Sequence, residues 1–370
     1  MIKKSSRIPV VGVVGTMGVP GRYGGFETLA EQLGRNIDLT RASLVFYCQR
    51  SAYPELKGLA DTDFEGHRRV FIPLRANGAA SLFHDALAIL HGVLIARVDV
   101  MLVLGYSGAW IFPFIRMLRP SLRILTNIDG MEWRRDKFNS RTKKLLMWLE
   151  SLAVQYSNDV IADNAALVPV AQSIHPGLEP LFIAYGGDHT LVEPAKLLNR
   201  TEPYYLSIAR IEPENNCEMI LKAFSAVSTI KLVFVGNWNA NSYARRLKEC
   251  YGQTASIELL DPIYDLSVLA ALRMGACGYV HGHSVGGTNP SLVEALFHTN
   301  RILAFDCVFN RSTLDGSGAY FANAPRLCEL LDMGAGLDML PQVVQSLRDR
   351  YQWGEIAAHY LHACSGHDKT

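Results

Sequence analysis

Residues 284–296, SVGGTNPSLVEAL, carry the residue types with the most evident chemistry in this 370-residue chain. The adjacent Gly286 and Gly287 have no Cβ, so the backbone there can approach a ligand closely and adopt a positive φ. Helix-capping types and a proline suited to a first helical turn follow: Thr288, Asn289, Pro290 and Ser291. The pattern predicts a helix whose N-terminal N–H groups and dipole bind an anion such as phosphate.

Glu294 is the one carboxylate in this stretch. We expect it to accept hydrogen bonds from sugar hydroxyls, in particular those of a ribose, and not to act as a base. An ordinary junction between a loop and a helix is the competing interpretation, because caps and glycines also occur where no ligand binds.

Arg210 follows an apolar run at 204–209 and opens a polar segment that continues to Asn216. In an open α/β sheet, ligands bind beyond the carboxyl ends of the strands. A guanidinium there can hold a diphosphate through two parallel hydrogen bonds, although a surface arginine at the start of a loop is the alternative. Gly236 and Asn237 follow another apolar run and are expected beside the base of the same nucleotide.

The first half has its own glycine-rich loop, GTMGVPGRYGGFE at 15–27, directly after the apolar run Val10–Val14. It fails the strict G-x-G-x-x-G dinucleotide fingerprint, so a nicotinamide cofactor is not favoured. Asp129 and Glu132 follow another apolar run, at 124–127. A turn before Gly130 is the alternative explanation for Asp129.

Alternating apolar runs and helical patterns position these residues, as in parallel sheets covered on both faces. The first half has predicted strands at 10–14, 44–47, 70–72, 100–104, 124–127, 160–162 and 180–184, and helices from about 26 and at 79–96, 108–118, 140–157 and 164–173. The second half has predicted strands at 204–209, 231–235, 257–259, 278–281 and 302–304, and helices at 216–226, 240–250 and 265–273.

A polar, proline-containing segment separates the halves. The predicted organisation is therefore a first domain at 1–188, a linker at 189–203, a second domain at 204–342 and a terminal helix at 343–370 that packs on the first domain. The fold class is α/β with two Rossmann-like domains facing one another across a cleft.

Composition excludes several other classes of protein. A hydrophobic content of 49% with 19% charged residues is typical of a compact protein, and a net charge of +1 gives no case for nucleic acid. Seven scattered cysteines without a C-x-x-C pair are expected to be reduced thiols of a cytoplasmic protein. No membrane-spanning segment is predicted, since the apolar stretch at 101–115 is short and interrupted by glycines and a proline.

Several stretches together resemble one enzyme family. Arg210 with Glu214, and GGTNPSLVE at 286–294, resemble the donor site of GT-B glycosyltransferases of family GT4. The stretches 15–27, 127–133 and 281–290 more narrowly resemble bacterial polysaccharide rhamnosyltransferases with a DUF1972-type N-terminal domain. The resemblance covers nearly the whole chain and implies the GT-B fold.

The resemblance also implies an activity. It is the retaining transfer of a deoxyhexose, rhamnose from dTDP-rhamnose, to a lipid-diphosphate-linked saccharide in surface polysaccharide synthesis, with no metal and no cofactor beyond the nucleotide sugar. In such an enzyme Asp129 would contact the sugar ring and Glu132 would orient the acceptor hydroxyl. The donor-binding residues would be Gly15, Gly18, Arg210, Gly236, Asn237, His283, Gly286, Gly287, Thr288, Asn289, Ser291 and Glu294. The acceptor-binding residues would be Arg22, Tyr23, Gly24, Gly25 and Glu27, although the charge of Glu27 also suits a helix N-terminus.

Two residues depart from the family pattern. GT4 enzymes have two glutamates separated by seven residues, and Gly286 stands where the first belongs; Asn215 stands at the usual lysine. We expect the glycine-rich backbone and histidines to compensate for the two missing residues. Of His281 and His283, we expect one to hold a phosphate oxygen and the other to be a structural histidine.

A basic segment at 134–144 has six cations and one acid, with Phe138 inside it and Trp133 and Trp148 close by. We expect attraction to anionic lipid head groups or to the acceptor diphosphate, which would place the protein on the inner face of the plasma membrane. A solvated helix face is the alternative. The apolar helix at 79–96 either shares that surface or belongs to the core.

Other functions remain open at this stage. The chain could be a GT4 enzyme with a UDP- or GDP-hexose donor, or a nucleotide-sugar-binding subunit without turnover, given Gly286 and Asn215. A dehydrogenase is disfavoured by the failed fingerprint. The D-x-D sequence at 61–63 resembles a metal motif but is better explained as a turn, so no metal site is predicted.

Overall fold

The computed structural model describes residues 7–22, 24–56, 58–59, 61–128, 130, 133, 138–196, 200, 202–227 and 229–366. Its contacts divide the chain into two compact units, unit 1 (Met1–Ala184 with Trp353–Thr370) and unit 2 (Tyr185–Gln352). Each unit contains one sheet of mostly parallel strands with helices around it.

The sheet of unit 1 has eight strands in the order β3-β4-β2-β1-β5-β6-β7-β8. They are β1 (Val10–Val14), β2 (Ser43–Gln49), β3 (Asp61–Phe64), β4 (His67–Ile72), β5 (Val100–Leu104), β6 (Arg123–Asn127), β7 (Asp159–Ala162) and β8 (Leu181–Phe182). β3 was not predicted, because its sequence DTDF carries two charges. It forms an antiparallel edge on β4, where Asp61 bonds to Arg68 across the pair.

The helices of unit 1 are α1 (Gly25–Asn36), α2 (Ser81–His91), α3 (Phe112–Leu118), α4 (Ser140–Tyr156), α5 (Leu167–Ile174) and, from the end of the chain, α13 (Trp353–Ser365). A π-helical turn, Gly92–Ala96, extends α2, and a 3-10 turn, Ser107–Ile111, precedes α3. The α2–α4 layer shares one apolar core with Val14, Met101 and Ile124 of the sheet. α13 packs against α1 and contacts β6, where Asn127 donates to the Tyr360 hydroxyl.

The sheet of unit 2 has six parallel strands in the order β11-β10-β9-β12-β13-β14. They are β9 (Tyr204–Ile208), β10 (Lys231–Val235), β11 (Ile257–Leu260), β12 (Gly278–His281), β13 (Ile302–Phe305) and β14 (Ala319–Phe321). Its helices are α6 (Cys217–Ala226), α7 (Ser242–Tyr251), α8 (Leu266–Gly275), α9 (Pro290–Leu296), α10 (Val308–Thr313), α11 (Ala324–Met333) and α12 (Pro341–Arg350). The elements from α10 to α11 were not predicted.

In the described residues, the terminal helix predicted at 343–370 is two helices with a break at Tyr351 and Gln352. The break has a physical reason, because α12 packs on α9 of unit 2, whereas α13 packs on α1 of unit 1. The chain also enters unit 2 earlier than residue 188. The Gly187 N–H donates to the Tyr351 carbonyl oxygen, and a Cβ at Gly187 would lie only 2.8 Å from the Phe297 ring. Gly187 therefore already packs within unit 2.

One helical stretch in the described part of the chain, Gly78–Ala96, is long and apolar enough to cross a membrane by length and composition alone. Sequence reasoning did not single it out as a span. Ala86, Ala88 and Ile89 on its inner side belong to the core of unit 1, as one of the two sequence interpretations of this segment expected.

Candidate functional site

The order of strands defines one switch point in each unit. In unit 2 the chain runs from β9 outward through β10 and β11, then returns to β12 on the other side of β9. Ligands of open α/β sheets bind beyond the carboxyl ends of the strands at such a point. The two loops that leave these ends are 209–216 after β9 and 282–289 after β12, the two stretches whose chemistry the sequence highlighted.

Side chains and backbone groups join these two loops directly. The Asn215 amide donates to the Arg210 carbonyl oxygen over 2.7 Å, and its Oδ1 lies 2.6 Å from His283 Nδ1. Asn216 donates to the Gly282 carbonyl oxygen. Both the N–H and the hydroxyl of Ser284 donate to the Glu214 carbonyl oxygen. The predicted convergence of the two loops therefore occurs through four hydrogen-bonding residues, which we call the loop clasp: Asn215, Asn216, His283 and Ser284.

Gly282 makes the loop clasp possible. A Cβ on this residue would lie 2.1 Å from the Asn215 carbonyl oxygen, which is backbone and cannot rotate away. Only a residue without a side chain therefore fits where the two loops meet.

The hydrogen bond of His283 places a proton on its Nδ1. An amide oxygen only accepts, so Nδ1 is the donor to Asn215 Oδ1. His283 is therefore tied to the loop after β9. Its carbonyl oxygen accepts from Asn310, so the residue is held from both ends.

The ring of His281 lies 6.2 Å from that of His283 and is buried. Its ring stacks on Tyr279 at 6.0 Å, and its Nε2 is buried without a hydrogen-bond partner in the described structure. Burial lowers the pKa of His281 well below its usual range, and nearby His283 lowers it further. His281 is therefore neutral at physiological pH and matches the structural histidine that the sequence analysis expected.

The glycine pair and the cap adopt the predicted local geometry. Gly286 has φ +99°, a value that other residues rarely adopt, while Gly287 is partly exposed and Thr288 is buried. Asn289 caps α9 by accepting from the N–H of Ser291, and Pro290 occupies the first helical position.

Glu294 is engaged inside unit 2. Its Oε2 accepts a hydrogen bond from Arg273 of α8, and its Oε1 lies 3.6 Å from His189 Nε2. The side chains of Arg273 and Glu294 are 4% and 15% exposed. A carboxylate offers about four lone-pair directions, so these contacts leave capacity for a hydroxyl, but Glu294 is first of all the partner of a buried cation.

Arg210 remains the exposed cation of the site. Its guanidinium lies 3.9 Å from Glu212 and 3.8 Å from Glu214 and makes no hydrogen bond in the described structure. Its side chain is 43% exposed. Electrostatic attraction to the two acids therefore positions the guanidinium, and its N–H donors can still bind an oxyanion.

Gly236 and Asn237 lie at the end of β10, beside this loop. A Cβ at Gly236 would lie 2.5 Å from Ile211 Cδ1 and 2.7 Å from the Ala209 carbonyl oxygen. The structure thus gives Gly236 a packing role next to Arg210. Asn237 is exposed, and its Oδ1 accepts from the N–H of Asn239.

In unit 1 the glycine-rich loop leaves β1 at the other switch point, between β1 and β5. Gly15 has φ +98°, and a Cβ there would lie 1.9 Å from the Leu104 carbonyl oxygen. Gly18 has φ +125° and faces the Cys48 thiol. Both glycines, predicted as donor contacts, have packing reasons for their identity.

Helix α1 holds the same loop with carboxylates. Glu27 Oε1 accepts from the N–H of Met17 over 3.0 Å, and Glu31 accepts from the N–H of Gly21 over 2.7 Å. Burial raises the pKa of Glu27, and the Met17 hydrogen bond opposes that shift. The charge of Glu27 is thus used within unit 1 to shape the loop.

The other predicted acceptor residues surround this turn. Arg22 is exposed, pairs with Glu55 and lies 4.9 Å over the Tyr53 ring. Gly24 has φ +115° and precedes Gly25, the first residue of α1. Tyr23, Asp129 and Glu132 lie outside the described residues.

Sequence reasoning missed the loop clasp and the Arg273 partner of Glu294. Asn215 was visible as the family's missing lysine, and that departure was the available signal. Arg273 and His189 gave no local signal, since their contacts to Glu294 join residues far apart in sequence. Across the described residues, no group of three His, Cys, Asp or Glu side chains is arranged to hold a metal ion.

The fold is that of GT-B glycosyltransferases, with two Rossmann-like domains. Sucrose-phosphate synthase from Thermosynechococcus elongatus aligns with a TM-score of 0.79 and 14% identity over 96% of this chain and 98% of its own. A glycosyltransferase from Rickettsia africae ESF-5 aligns at 0.70, with 13% identity and 98% of each chain covered. The catalytic domain of starch synthase IV from Arabidopsis thaliana, bound to ADP and acarbose, aligns at 0.67, with 12% identity over 97% and 99%.

In sequence, residues 8–188 match the family described as "Domain of unknown function (DUF1972)". This match confirms the DUF1972-type N-terminal domain that the sequence resemblance implied. No curated protein matched the chain.

Proposed function

We propose that this protein is a retaining glycosyltransferase that moves rhamnose from dTDP-rhamnose to a lipid-diphosphate-linked saccharide in bacterial surface polysaccharide synthesis. The observation that carries the proposal is the loop clasp, which fixes the loop bearing Arg210 against the loop bearing the glycine pair. A diphosphate needs a cation and closely approaching backbone, and the switch point of unit 2 offers Arg210 on a held loop beside the glycine pair.

Arg210 holds the donor diphosphate in this proposal. Gly286 and Gly287 let the backbone approach the donor, and His283 belongs to the same donor site. Glu294 contacts the nucleotide ribose through the lone pairs that Arg273 and His189 leave. The ADP bound to the starch synthase of similar fold supports a nucleoside diphosphate as the leaving group.

Unit 1 supplies the acceptor side. The loop at 15–27 presents Arg22 beside the ordered glycines, and a guanidinium suits the diphosphate of a lipid-linked acceptor. Asp129 stabilises the positive charge that develops on the sugar ring, and Glu132 orients the acceptor hydroxyl. The reaction uses no metal, and the departing phosphate accepts the acceptor proton. The protein works on the cytoplasmic face of the plasma membrane.

A nucleotide-sugar panel tests the donor. We expect dTDP-rhamnose to raise the unfolding temperature, since a ligand at 100 times its dissociation constant stabilises the folded state by about 2.7 kcal/mol. Arg210→Ala should abolish this shift. Arg326→Ala is the matched control, because Arg326 is an exposed arginine of unit 2 paired with Glu329. Stabilisation by UDP- or GDP-hexoses alone would replace the proposed donor with another.

A transfer assay tests turnover. Wild-type protein with dTDP-rhamnose and a synthetic lipid-diphosphate saccharide should release dTDP and form a product with the donor's anomeric configuration. Binding of the donor without dTDP release for any acceptor would instead identify a nucleotide-sugar-binding subunit, the alternative raised by Gly286 and Asn215.

A further inference from the structure

The outer side of the α2–α4 layer of unit 1 is unusually apolar for an exposed surface. Six of its large exposed side chains are Phe83, Leu94, Ile95, Phe114, Met117 and Trp148. Met117 is 82% exposed, Ile95 67% and Phe114 65%. Contiguous apolar surface of this kind marks a site of interaction with another molecule or with a membrane. We call these six residues the apolar face.

The elements that carry the apolar face form one continuous layer. α2 packs against the 3-10 turn Ser107–Ile111, this turn packs against α4, and α3 packs against α4. Trp110 of the turn donates its indole N–H to the Leu82 carbonyl oxygen, and its ring lies edge-on to Phe83 at 6.2 Å. The inner sides of all these elements share one core on one face of the sheet, so their outer sides point away from it together.

The exposed charge on the helices of this layer is positive. The three helices and the π-helical turn, all fully described, contain two acids, Asp85 and Glu150, which are 3% and 1% exposed. Arg97, Arg141 and Lys144 are exposed. Arg97 directly follows the π-helical turn, and the other two lie on the first turns of α4. Asp99, two residues after Arg97, has a 40% exposed side chain and lies 4.0 Å from Arg119. Exposed cations around apolar side chains, on helices whose two carboxylates are buried, complement a surface of anionic lipid head groups.

We propose that the apolar face docks on a bilayer containing anionic lipid, with its large side chains at the boundary between head groups and acyl chains. Trp148, about half exposed, suits that boundary because an indole combines an apolar ring with a polar N–H. The proposal deepens the proposed function, since a lipid-linked acceptor must be met at a bilayer, but the surface itself is argued from its own side chains.

Sedimentation with vesicles tests the docking surface. We expect the wild-type protein to bind phosphatidylcholine vesicles containing 30% phosphatidylglycerol, with weaker binding in 1 M salt because screening shortens the reach of the charges. Leu94→Ser/Ile95→Ser/Phe114→Ser should weaken binding at least ten-fold. Arg97→Gln, Arg141→Gln and Lys144→Gln should each weaken it roughly five-fold.

Matched controls come from unit 2. Val308→Ser/Leu340→Ser removes equally exposed apolar side chains, and Lys222→Gln/Arg245→Gln/Lys248→Gln removes exposed cations. Both controls should bind as wild type does. Thermal unfolding checks that every variant is folded, which we expect because all substituted side chains are exposed.

Two results would overturn the proposal. One is wild-type binding by the apolar variant, or an equal loss in the controls. The other is a concentration-dependent dimer, seen by ultracentrifugation without lipid and abolished by the apolar variant, which would assign the face to a second copy of the chain. The vesicle assay contains no donor or acceptor, so a protein that binds vesicles but transfers no sugar refutes the proposed function alone.

Discussion

Gly286 and Asn215, the two departures from the GT4 pattern, each have a local structural reason. With φ +99°, Gly286 lies in backbone space where a glutamate would be strained. Asn215 is 4% exposed and bonded to both loops, so a lysine there would bury an unpaired cation. Both departures are therefore explained by the local structure in which the two residues stand.

Glu294 illustrates how a binding residue can also be structural. Removing its carboxylate leaves the Arg273 cation, 4% exposed, without its partner. We expect Glu294→Ala to destabilise the protein by about 3–5 kcal/mol, measured by urea unfolding. A loss below about 1 kcal/mol would mean that the pair is solvated in solution.

A paired substitution separates the two roles of Glu294. Replacing both members of a buried ion pair by apolar residues of similar size is often close to neutral, so Glu294→Leu/Arg273→Met should recover most of the stability. If Glu294 also contacts the nucleotide ribose, the double variant should still lose the thermal shift with the nucleotide sugar. A full shift would remove Glu294 from the donor site.

His298 gives unit 2 a predictable acid sensitivity. The pKa of His298 is lowered to about 4. Burial is the largest cause, and the nearby side chains of Arg273, Arg348 and His189 lower it further. The unfolded value is roughly 6.5, so the unfolded chain takes up the proton first as pH falls. Stability is therefore complete near neutral pH and is lost between about pH 6.5 and about pH 4, by up to about 3 kcal/mol. Neutral, buried His281 acts in the same direction.

The urea-unfolding midpoint between pH 7 and pH 4 measures this effect. His298→Gln removes the titrating group, so the midpoint should fall less steeply with acid than in the wild type. Equal slopes for the two proteins would contradict the assignment.

At the scale of elements, the sequence predicted what continuous apolar runs encode. Val10–Val14, Val100–Leu104 and Lys231–Val235 form as strands with the predicted bounds, because strands buried on both faces need such runs. β3 escaped prediction because an edge strand tolerates Asp61 and Asp63 when a partner arginine lies opposite. The loop clasp was beyond prediction, since hydrogen bonds between loops about 70 residues apart leave no periodic signal.

Gly282 is the element-scale test of the clasp. Gly282→Ala places a methyl group into the Asn215 carbonyl, so the loops after β9 and β12 must separate. We expect a loss of about 1–3 kcal/mol in stability and at least ten-fold weaker binding of the nucleotide sugar by calorimetry. Gly336→Ala is the control, because a Cβ there meets nothing within 4 Å. Equal stability and equal nucleotide-sugar binding in the two variants would show that the loop clasp is not needed for either property.

At the scale of the whole molecule, the chain leaves unit 1 after Ala184 and returns to it at Trp353. α13 brings buried Trp353, Ile356 and Tyr360 to unit 1, and the Ala363 carbonyl oxygen accepts from Arg123 of β6. Unit 1 therefore depends on residues that follow all of unit 2 in sequence.

Ending the chain after Gln352 should destabilise unit 1 selectively. Hydrogen exchange should speed up in α1 and β6, which lose Tyr360 and the other buried residues of α13, while β9 and β12 keep their protection. Each large apolar side chain removed from a core costs about 2–5 kcal/mol of stability, so the increase in hydrogen-exchange rate should be easily measured. Equal loss of protection in both units would contradict the division.

The position of α13 at the end of the chain also determines when unit 1 can complete its fold during translation. A ribosome finishes β6 and α1 long before it makes their covering helix, because the whole of unit 2 is synthesised in between. The side chains that α13 will bury stay uncovered during that interval, so the nascent first unit keeps apolar surface exposed until its last helix is made.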